Sequence, residues 1–572
     1  MATPWFTLVN GLHFKNLRGD LYGGITAAVV ALPLALAFGV SSGAGAIHGL
    51  YGAIFVGFFA ALFGGTPSQI SGPTGPMTVV MATIITTLTA KHGVDVGMAM
   101  AFTVVMLGGL FQFLFGVFKL GKFITLIPYT VISGFMSGIG VIIILLQIGP
   151  LLGQAPSGNV MSSLLEIPKV LSQIEPTSAG LGVLTLAIVF LWPPKLTRVV
   201  PAPLLALIIC TLLSVFVLPD NPDVRVIGEI PAGLPVFQPP NFNLGVLKEM
   251  VGYGIMLAIL GAIDSLLTSL VADNVTRTQH NSDRELMGQG VGNLLAGLFG
   301  GLPGAGATMR TVINAQAGGS TPLSGMVHAL VLLIIVLQAS SLTEPIPHSV
   351  LAGILIKVGI DIIDWVFLKR AHKLSLKGAG LMYLVLFLTV FVDLITAVAV
   401  GAFIANLLTV KSLTDLQVKD MKIIAGPTDD GSLTEAEQDL LTQMKGQVLL
   451  FSLGGPMSFG AAKAISQRMK IVEEYEVIIL DLSDVPRVGV TASLAIENML
   501  KDALQKGHAA FLVGANGQVK ARLKNLDIIH DLPEHHWSSD RLQALQQSLK
   551  LVQGNAGGMA AVTDAPSGYP NP

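Results

Sequence analysis

Apolar segments fill the chain from residue 21 to residue 410, and they restrict its fold more than any other feature. A helix needs about 20 mostly apolar residues to cross a bilayer, because lipid cannot hydrogen-bond to exposed backbone groups. We therefore predict a polytopic membrane protein with about 12 to 14 spans. The clearest candidates are 21–39, 49–64, 97–118, 124–147, 178–192, 201–218, 250–272, 321–340, 346–362, 377–391 and 393–410.

Composition supports a lipid-solvated chain and excludes several function classes. The chain is 52% hydrophobic and 12% charged, and its mean hydropathy is +0.70. A net charge of −2 without a basic stripe gives no reason to expect a nucleic-acid partner. The single cysteine, Cys210, lies in an apolar segment, so we expect packing in the core or against lipid and no disulfide or metal cluster. No motif of a hydrolase, a phosphate loop or a zinc enzyme stands out, so we predict that the protein is not an enzyme.

We predict four regions along the chain. They are a cytoplasmic segment at 1–20, a transmembrane domain at 21–411, a cytoplasmic α/β domain at 412–550 and a disordered tail rich in Gly, Ala, Ser and Pro at 551–572. Basic residues flank several apolar segments, beginning with Lys15 and Arg18, and they favour cytoplasmic termini in the plasma membrane. The α/β pattern consists of strands near Val448–Leu453, Val477–Leu480 and Ala509–Val513, with helices near 459–473 and 491–506.

A short sequence occurs twice in the membrane part. Leu62–Pro67 and Leu298–Pro303 agree at five of six positions, and each is followed by a stretch rich in Gly and by a short apolar segment. The runs 74–90, 286–299 and 306–316 are short or interrupted, which suggests helices that stop inside the bilayer. Paired interruptions in two halves of a chain are typical of a transporter's binding site, although chance recurrence in Gly-rich helices is the alternative.

Two half-helices that begin inside the membrane would form an anion site. Their first turns would lie near Thr74 and Gly75 in one half, and near Gly306 and Ala307 in the other. A helix N-terminus offers free N–H groups and the positive end of the helix dipole, and glycine lets a ligand approach the backbone. The pattern therefore predicts binding of a small anion.

Asp264 is the most informative charge in the membrane part. It lies well inside an apolar segment, where an ionisable residue is costly, and Thr268 follows one helical turn later. With the Gly306 carbonyl and the Thr308 hydroxyl, this pair would supply the hard oxygen ligands that suit sodium. The alternatives are that Asp264 pairs with Arg310, caps a helix or carries a proton.

Other charged residues are less specific. Arg310 would either add positive potential for the anion along the pathway, or face a cytoplasmic vestibule or pair structurally. We interpret Asp361, Asp364 and Asp393 as interfacial anchors at span ends, and His280 as a solvated loop residue.

Five motifs together resemble the SulP family of anion transporters, and within it the sodium-dependent bicarbonate transporters of cyanobacteria. The resemblance covers nearly the whole chain and is carried by Asn16–Asp20, Gly72–Val80, Pro128–Phe135, Ile263–Ser269 and Gly304–Thr308. It implies about fourteen spans in two inverted repeats, core and gate domains, and a C-terminal STAS domain that supports a homodimer.

The same resemblance implies which residues bind the transported ions. Sodium would lie at Asp264, Thr268, Gly306 and Thr308. Bicarbonate would lie at Thr74 and Ala307, and we add Gly75 and Thr78 of the same helix start to the predicted anion site. The expected function is sodium–bicarbonate symport by alternating access. Its rivals are proton-coupled sulfate or dicarboxylate transport, a STAS-linked membrane sensor and, more weakly, nucleobase permeation.

The C-terminal domain resembles STAS domains through Ile479–Pro486. It departs from phosphorylatable members, because Gly489 and Val490 stand where those carry an Asp-Ser pair. Thr491 could accept phosphate, but we favour a structural helix N-cap at this residue.

Overall fold

The computed structural model describes residues 12–124, 128–156, 160–193, 196, 200–217, 224–228, 235–242, 245–338, 343–419, 422–426, 433–457, 475–526 and 532–555. The chain divides into two compact units, Met1–Ala405 and Asn406–Pro572. The first unit is mostly helical, and the second contains a mixed β-sheet.

A helix is present at every segment that the sequence predicts as a span or half-span. These helices are Leu17–Ser41, Ala46–Phe63, Gly75–His92, Val94–Val117, Tyr129–Leu151, Pro176–Leu191, Ala202–Val217, Leu247–Thr276, Ser282–Leu298, Thr308–Gln316, Pro322–Gln338, His348–Ile362, Leu376–Phe391 and Leu394–Lys419. The shorter helices Phe14–Asn16, Gly121–Ile124, Val160–Ser172 and Trp365–Leu374 complete the set in the described residues.

Six helices in the described residues are long and apolar enough to cross a membrane by themselves. A seventh candidate is the pair Val160–Ser172 and Pro176–Leu191, which bends by 115°. The membrane character of the chain is therefore evident in the structure, while the span count and the division into core and gate remain predictions.

Close helix packing in the first unit depends on glycine. Helix Ser282–Leu298 packs against Val94–Val117 so tightly that a Cβ at Gly109 would lie 2.3 Å from the backbone nitrogen of Leu294. A Cβ at Gly290 would lie 2.4 Å from the backbone nitrogen of Phe113. Small residues permit this approach, which favours association of helices in lipid.

The first helix begins at Leu17, four residues before the predicted start of the transmembrane domain. Asp20, the charge at which the sequence analysis places the boundary, lies within this helix and is fully buried. Its carboxylate accepts hydrogen bonds from the backbone nitrogens of Ser320 (2.8 Å) and Thr321 (2.9 Å) and from the Thr321 hydroxyl (2.8 Å). A satisfied carboxylate can lie inside the protein, which an apolar pattern alone does not reveal.

Two short strands bring the halves of the unit together. Strand β1, Ser71–Gly72, pairs antiparallel with β2, Ala305–Gly306, in the register Ser71 to Gly306 and Gly72 to Ala305. The helices that follow them, Gly75–His92 and Thr308–Gln316, are named here the first and second half-helix. The two Gly-rich stretches after the repeated sequence thus contact each other directly.

The second unit contains a five-stranded sheet in the order β3-β4-β5-β6-β7. Strand β3 pairs antiparallel with β4, and the other neighbours are parallel. The central strand, β5, is almost entirely buried, as expected for a parallel sheet covered by helices. The strands are Lys422–Ile424, Val448–Gly454, Val477–Asp484, Ala509–Val513 and Trp537–Ser538, and the helices are Glu435–Gln443, Val490–Gln505, Gly517–Asn525 and Arg541–Asn555.

Three predictions for this unit need comment. The helix predicted near 459–473 lies outside the described residues. The last helix extends to Asn555 with Val552 buried, so the predicted tail cannot begin at 551; residues 556–572 lie outside the described part. The N-cap prediction for Thr491 is wrong, because Gly489 is the N-cap and Thr491 is an exposed residue of the first turn.

An ion-pair cluster ties the last helix to the rest of the second unit. The Arg541 guanidinium donates to Glu437 (2.7 and 3.0 Å) and to Asp481 (3.2 Å). Burial raises the pKa of Glu437, but hydrogen bonds from Arg541 and Thr434 outweigh this effect and hold the pKa below its ordinary value of 4.5. The cluster therefore stabilises the unit above pH 4.5, and the stabilisation is lost as the pH falls through the lowered pKa.

We expect Arg541→Ala to lower the unfolding free energy of the second unit by about 1–3 kcal/mol at neutral pH. The difference from wild type should shrink as the pH falls below 4.5 and through the lowered pKa of Glu437, because protonation removes the charge that Arg541 pairs with. Hydrogen exchange of the β5 amides in the full chain, corrected for intrinsic exchange rates, measures both values. Lys524→Ala, at an exposed position, is the control, and an equal loss in that variant would contradict the assignment.

Candidate functional site

The two half-helices begin at buried positions with their first turns uncapped by side chains. Thr74 and Ala307 are the N-cap residues, both have extended backbone conformations, and neither provides a side-chain capping bond. Both residues are buried, and the Thr74 hydroxyl has no hydrogen-bond partner among the described residues. Two helix N-termini without capping groups are electrically suited to a small anion.

The other two residues of the predicted anion site have different surroundings. A Cβ at Gly75 would lie 2.8 Å from Cδ1 of both Ile143 and Ile362, so a side chain here would have to displace the ends of these two side chains. The Thr78 hydroxyl donates to the Thr74 carbonyl at 2.8 Å. Its proton is therefore engaged within its own helix, and Thr78 is less available to a ligand than Thr74.

Three of the four predicted sodium ligands are in mutual contact. The Thr268 hydroxyl donates to the Gly306 carbonyl at 2.9 Å and lies 2.8 Å from the Thr308 hydroxyl. The helix that carries Thr268, Leu247–Thr276, also contacts β2 through Ser265, whose hydroxyl accepts from the Gly306 nitrogen at 3.1 Å. These bonds fix the helix against the start of the second half-helix.

Asp264 lies one turn before Thr268 and is 7% exposed. One of its carboxylate oxygens, Oδ2, has no hydrogen-bond partner among the described residues. The Thr74 hydroxyl and the Arg310 guanidinium lie near enough to interact with the Asp264 charge. The Asp264 side chain therefore lies near the start of the first half-helix, where Arg310 also donates to the Pro73 carbonyl.

The donor atoms of Asp264, Thr268, Gly306 and Thr308 are of the type that suits a sodium ion as transported cargo. They are a carboxylate oxygen without a partner, two hydroxyl oxygens and one backbone carbonyl, all of which are hard oxygen ligands. In the described part of the chain, no group of three or more His, Cys, Asp and Glu side chains is arranged to hold a metal. The arrangement thus suits an alkali cation better than a transition metal.

Arg310 lies inside the protein and does not face a vestibule, so that alternative is wrong. It is 2% exposed, and its Nη2 donates to the Pro73 carbonyl at 2.7 Å, just before the first half-helix. Its Nη1 has no partner among the described residues. The guanidinium joins the two halves and leaves the N–H groups of Nη1 for another group.

Sequence reasoning missed a further buried carboxylate of the unit, Glu285. It accepts from the backbone nitrogens of Gly65 and Thr66 (2.9 Å each) and from the side chains of Gln69 (2.7 Å) and Gln289 (2.8 Å). Because Glu285 stands just before the predicted segment 286–299, in a polar sequence, the pattern alone places it in solvent. A signal was available in Gln289, since polar residues spaced one helical turn apart share a face.

Several other predicted residues have defined partners. Cys210 is buried and accepts from the Thr185 hydroxyl at 3.3 Å, which agrees with packing in the core. Asp361 lies 2.5 Å from Lys357, and Asp393 caps a helix through the Thr396 nitrogen. The solvated interpretation of His280 is wrong, because its ring contacts Asp273 at 2.6 Å and Ser282 at 2.9 Å and is largely buried.

Comparison with known proteins agrees with this architecture. Residues 17–385 match the model of the sulfate permease family, and residues 439–540 match the STAS domain. A relative from Picosynechococcus, named bicarbonate transporter BicA, is 52% identical over 545 residues, which cover 95% of this chain and 96% of the relative. A second protein of that name, from Synechocystis, is 53% identical over 543 residues with the same coverage of both chains.

Solved structures give the same fold. The transmembrane domain of a cyanobacterial bicarbonate transporter, BicA, aligns with a TM-score of 0.65 and 56% identity, covering 68% of this chain and all of that one. Murine Slc26a9, an anion transporter solved in its inward-facing state, aligns with a TM-score of 0.82 over 97% of this chain and 96% of that one. At 18% identity, this second likeness supports the fold alone. With a family model over its membrane part and relatives matched along nearly their whole length, the chain belongs to the sulfate permease family of membrane transporters and carries a C-terminal STAS domain.

Proposed function

We propose that the protein carries bicarbonate together with sodium across the plasma membrane by alternating access. The observation that supports this most is the buried Asp264 carboxylate, which has an oxygen without a partner among the described residues and lies near Thr74 and Arg310. The relatives named as bicarbonate transporters provide the choice of anion. Backbone N–H groups by themselves would accept any small oxyanion.

The charges of the site explain why the two ions would bind together. Asp264 and Arg310 lie near each other with opposite charges. A sodium ion bound at Asp264 offsets the charge of an anion held at Thr74 and Ala307, so the occupied site has the same net charge as the empty one. Because an unpaired charge is costly in the membrane interior, each ion should raise the affinity for the other by the same factor.

The remaining parts of the proposal concern topology and assembly. Basic residues beside the apolar segments favour cytoplasmic termini. The STAS domain would then be cytoplasmic and would support a homodimer. The relatives are transporters, which is consistent with a protein that has no enzymatic activity.

We expect Asp264→Asn to abolish sodium-stimulated bicarbonate uptake in proteoliposomes. The amide lacks the negative charge that binds the cation. We expect sodium affinity to fall by at least about tenfold, which corresponds to a loss of about 1.4 kcal/mol in binding free energy. Asp361→Asn is the matched control, since it makes the same chemical change in the membrane unit at an exposed residue paired with Lys357. Wild-type sodium stimulation in the Asp264 variant would contradict the site assignment.

Imposed gradients distinguish the proposal from proton-coupled sulfate or dicarboxylate transport. We expect an inward sodium gradient at equal pH to drive uptake of labelled bicarbonate, and a pH gradient without sodium to drive little. Labelled sulfate should not accumulate under either condition. Sulfate uptake driven by the pH gradient alone would favour the rival function and would assign Asp264 to proton transfer.

The hydrogen bonds of Glu285 offer an independent test, because they connect through Gln69 to residues beside the predicted sodium ligands. Ser269, next to Thr268, donates to the Gln69 side chain at 3.0 Å, and Gln69 donates to Glu285. A Cβ at Gly306 would lie 2.4 Å from the Gln69 side-chain nitrogen, so this amide contacts the strand that carries the Gly306 carbonyl.

We expect Glu285→Gln to raise the sodium concentration at half-maximal uptake by about 10-fold or more and to lower the unfolding temperature. The four donors that bind the Glu285 carboxylate would then face a neutral amide instead of a charged acceptor. Each hydrogen bond to a charged group contributes about 1.5–3 kcal/mol to stability. The sodium concentration at half-maximal uptake and the unfolding temperature are the two measurements. Glu249→Gln, at the exposed ion pair with Lys91, is the control. An unchanged sodium dependence in a folded Glu285 variant would exclude the positioning role.

A further inference from the structure

A short helix of the first unit, Trp365–Leu374, has two faces of different character. One face carries Phe367, Leu368 and Ala371, which pack against Ala379 and Met382 of the next helix. The Phe367 ring also contacts the Tyr129 ring edge to face at 5.2 Å between centroids. This face is thus packed against the protein, so the opposite face of the helix points away from these contacts.

The opposite face is exposed and has an apolar part followed by a basic part. Trp365 is 47% exposed and Val366 is 64% exposed. Lys369, Arg370 and Lys373 follow and are also exposed. Trp365, Lys369 and Lys373 are four residues apart, so they form one stripe along the helix.

The described residues provide no ion pair for the positive charge of this face. No ion pair involves Lys369, Arg370 or Lys373 in the described residues. The carboxylates nearest to them in sequence have other partners. Asp361 pairs with Lys357. Asp364 accepts from the Phe367 nitrogen (3.0 Å), the Tyr129 hydroxyl (2.7 Å) and the Ser133 hydroxyl (2.8 Å).

We propose that the face formed by Trp365, Val366, Lys369, Arg370 and Lys373 binds the anionic headgroups of membrane phospholipids. The helix connects His348–Ile362 and Leu376–Phe391, which lie in two segments that the sequence predicts as membrane spans, so it would lie where the chain leaves and re-enters the bilayer. An exposed Trp next to exposed cations is typical of a helix in the membrane interface. A soluble acidic partner would explain the cations but not the exposed apolar residues beside them.

Lipid bound here would act on more than one helix. Asp364, at the start of the short helix, hydrogen-bonds to two residues of helix Tyr129–Leu151, and Phe367 contacts the same helix. Anionic lipid would therefore anchor this group of helices at one membrane surface. The inference goes beyond the proposed function, and its main measurement does not depend on transport.

Native mass spectrometry of the full chain in detergent, titrated with phosphatidylglycerol or phosphatidylcholine, tests the proposal. We expect wild type to retain phosphatidylglycerol preferentially, and K369Q/R370Q/K373Q to bind it up to about fivefold more weakly for each cation removed. K445Q/K524Q/K550Q removes three exposed cations of the second unit and is the matched control. K369R/K373R keeps the charge and should bind as wild type does.

Equal retention of phosphatidylglycerol by wild type and K369Q/R370Q/K373Q, with an unchanged unfolding temperature, would overturn the proposal. Equal loss in the control triple variant would also overturn it, because the effect would then be one of total charge. Bicarbonate uptake by the same variants in vesicles with and without phosphatidylglycerol then measures whether lipid affects transport. A lack of uptake in wild type would contradict the proposed function and leave the lipid-binding result intact.

Discussion

The pairing of Ser71–Gly72 with Ala305–Gly306 is the contact on which the membrane unit depends. In both of these segments the helical backbone is interrupted inside the protein, where unpaired backbone groups are costly. The two strands satisfy part of that requirement for each other, and the Ala307 nitrogen adds a bond to the Ile70 carbonyl at 2.8 Å. The N-terminal groups of both half-helices remain for a ligand. A Cβ at Gly304 would lie 2.5 Å from the backbone of Gly72, so this crossing requires glycine.

Two buried carboxylates stabilise the segments next to the β1–β2 pair, and each connects the two halves of the chain. Asp20, in the first helix, binds the turn at Ser320 and Thr321 that follows the second half-helix. Glu285, in the second half, binds the turn at Gly65 and Thr66 that precedes β1. In both cases a charge takes backbone N–H groups that no helix or strand could satisfy. The irregular segments are thus defined by side chains distant in sequence.

The sequence predicts the parts of this fold that have a periodic or local signal. Apolar segments locate the helices, and the Gly-rich stretches locate the half-helix starts at Thr74 and Ala307. Asp264 stands out because a charge inside an apolar segment needs a reason. Glu285, Asp20 and His280 carry no such signal, because each stands in a polar sequence and its burial depends on a tertiary partner. Thr491 was misassigned since a cap depends on backbone geometry, and Gly489 fills that position.

The position of Arg310 connects the two ion sites. It belongs to the second half-helix, two residues after Thr308, yet it donates to the carbonyl of Pro73, one residue before Thr74. The segments that would hold the anion are therefore joined by a cation that also lies near Asp264. Without sodium, Asp264 would compete with the proposed anion for the field of this guanidinium. With sodium bound at Asp264, as we propose, Arg310 would be released to favour the anion, so coupling of the two ions would follow from one shared positive group.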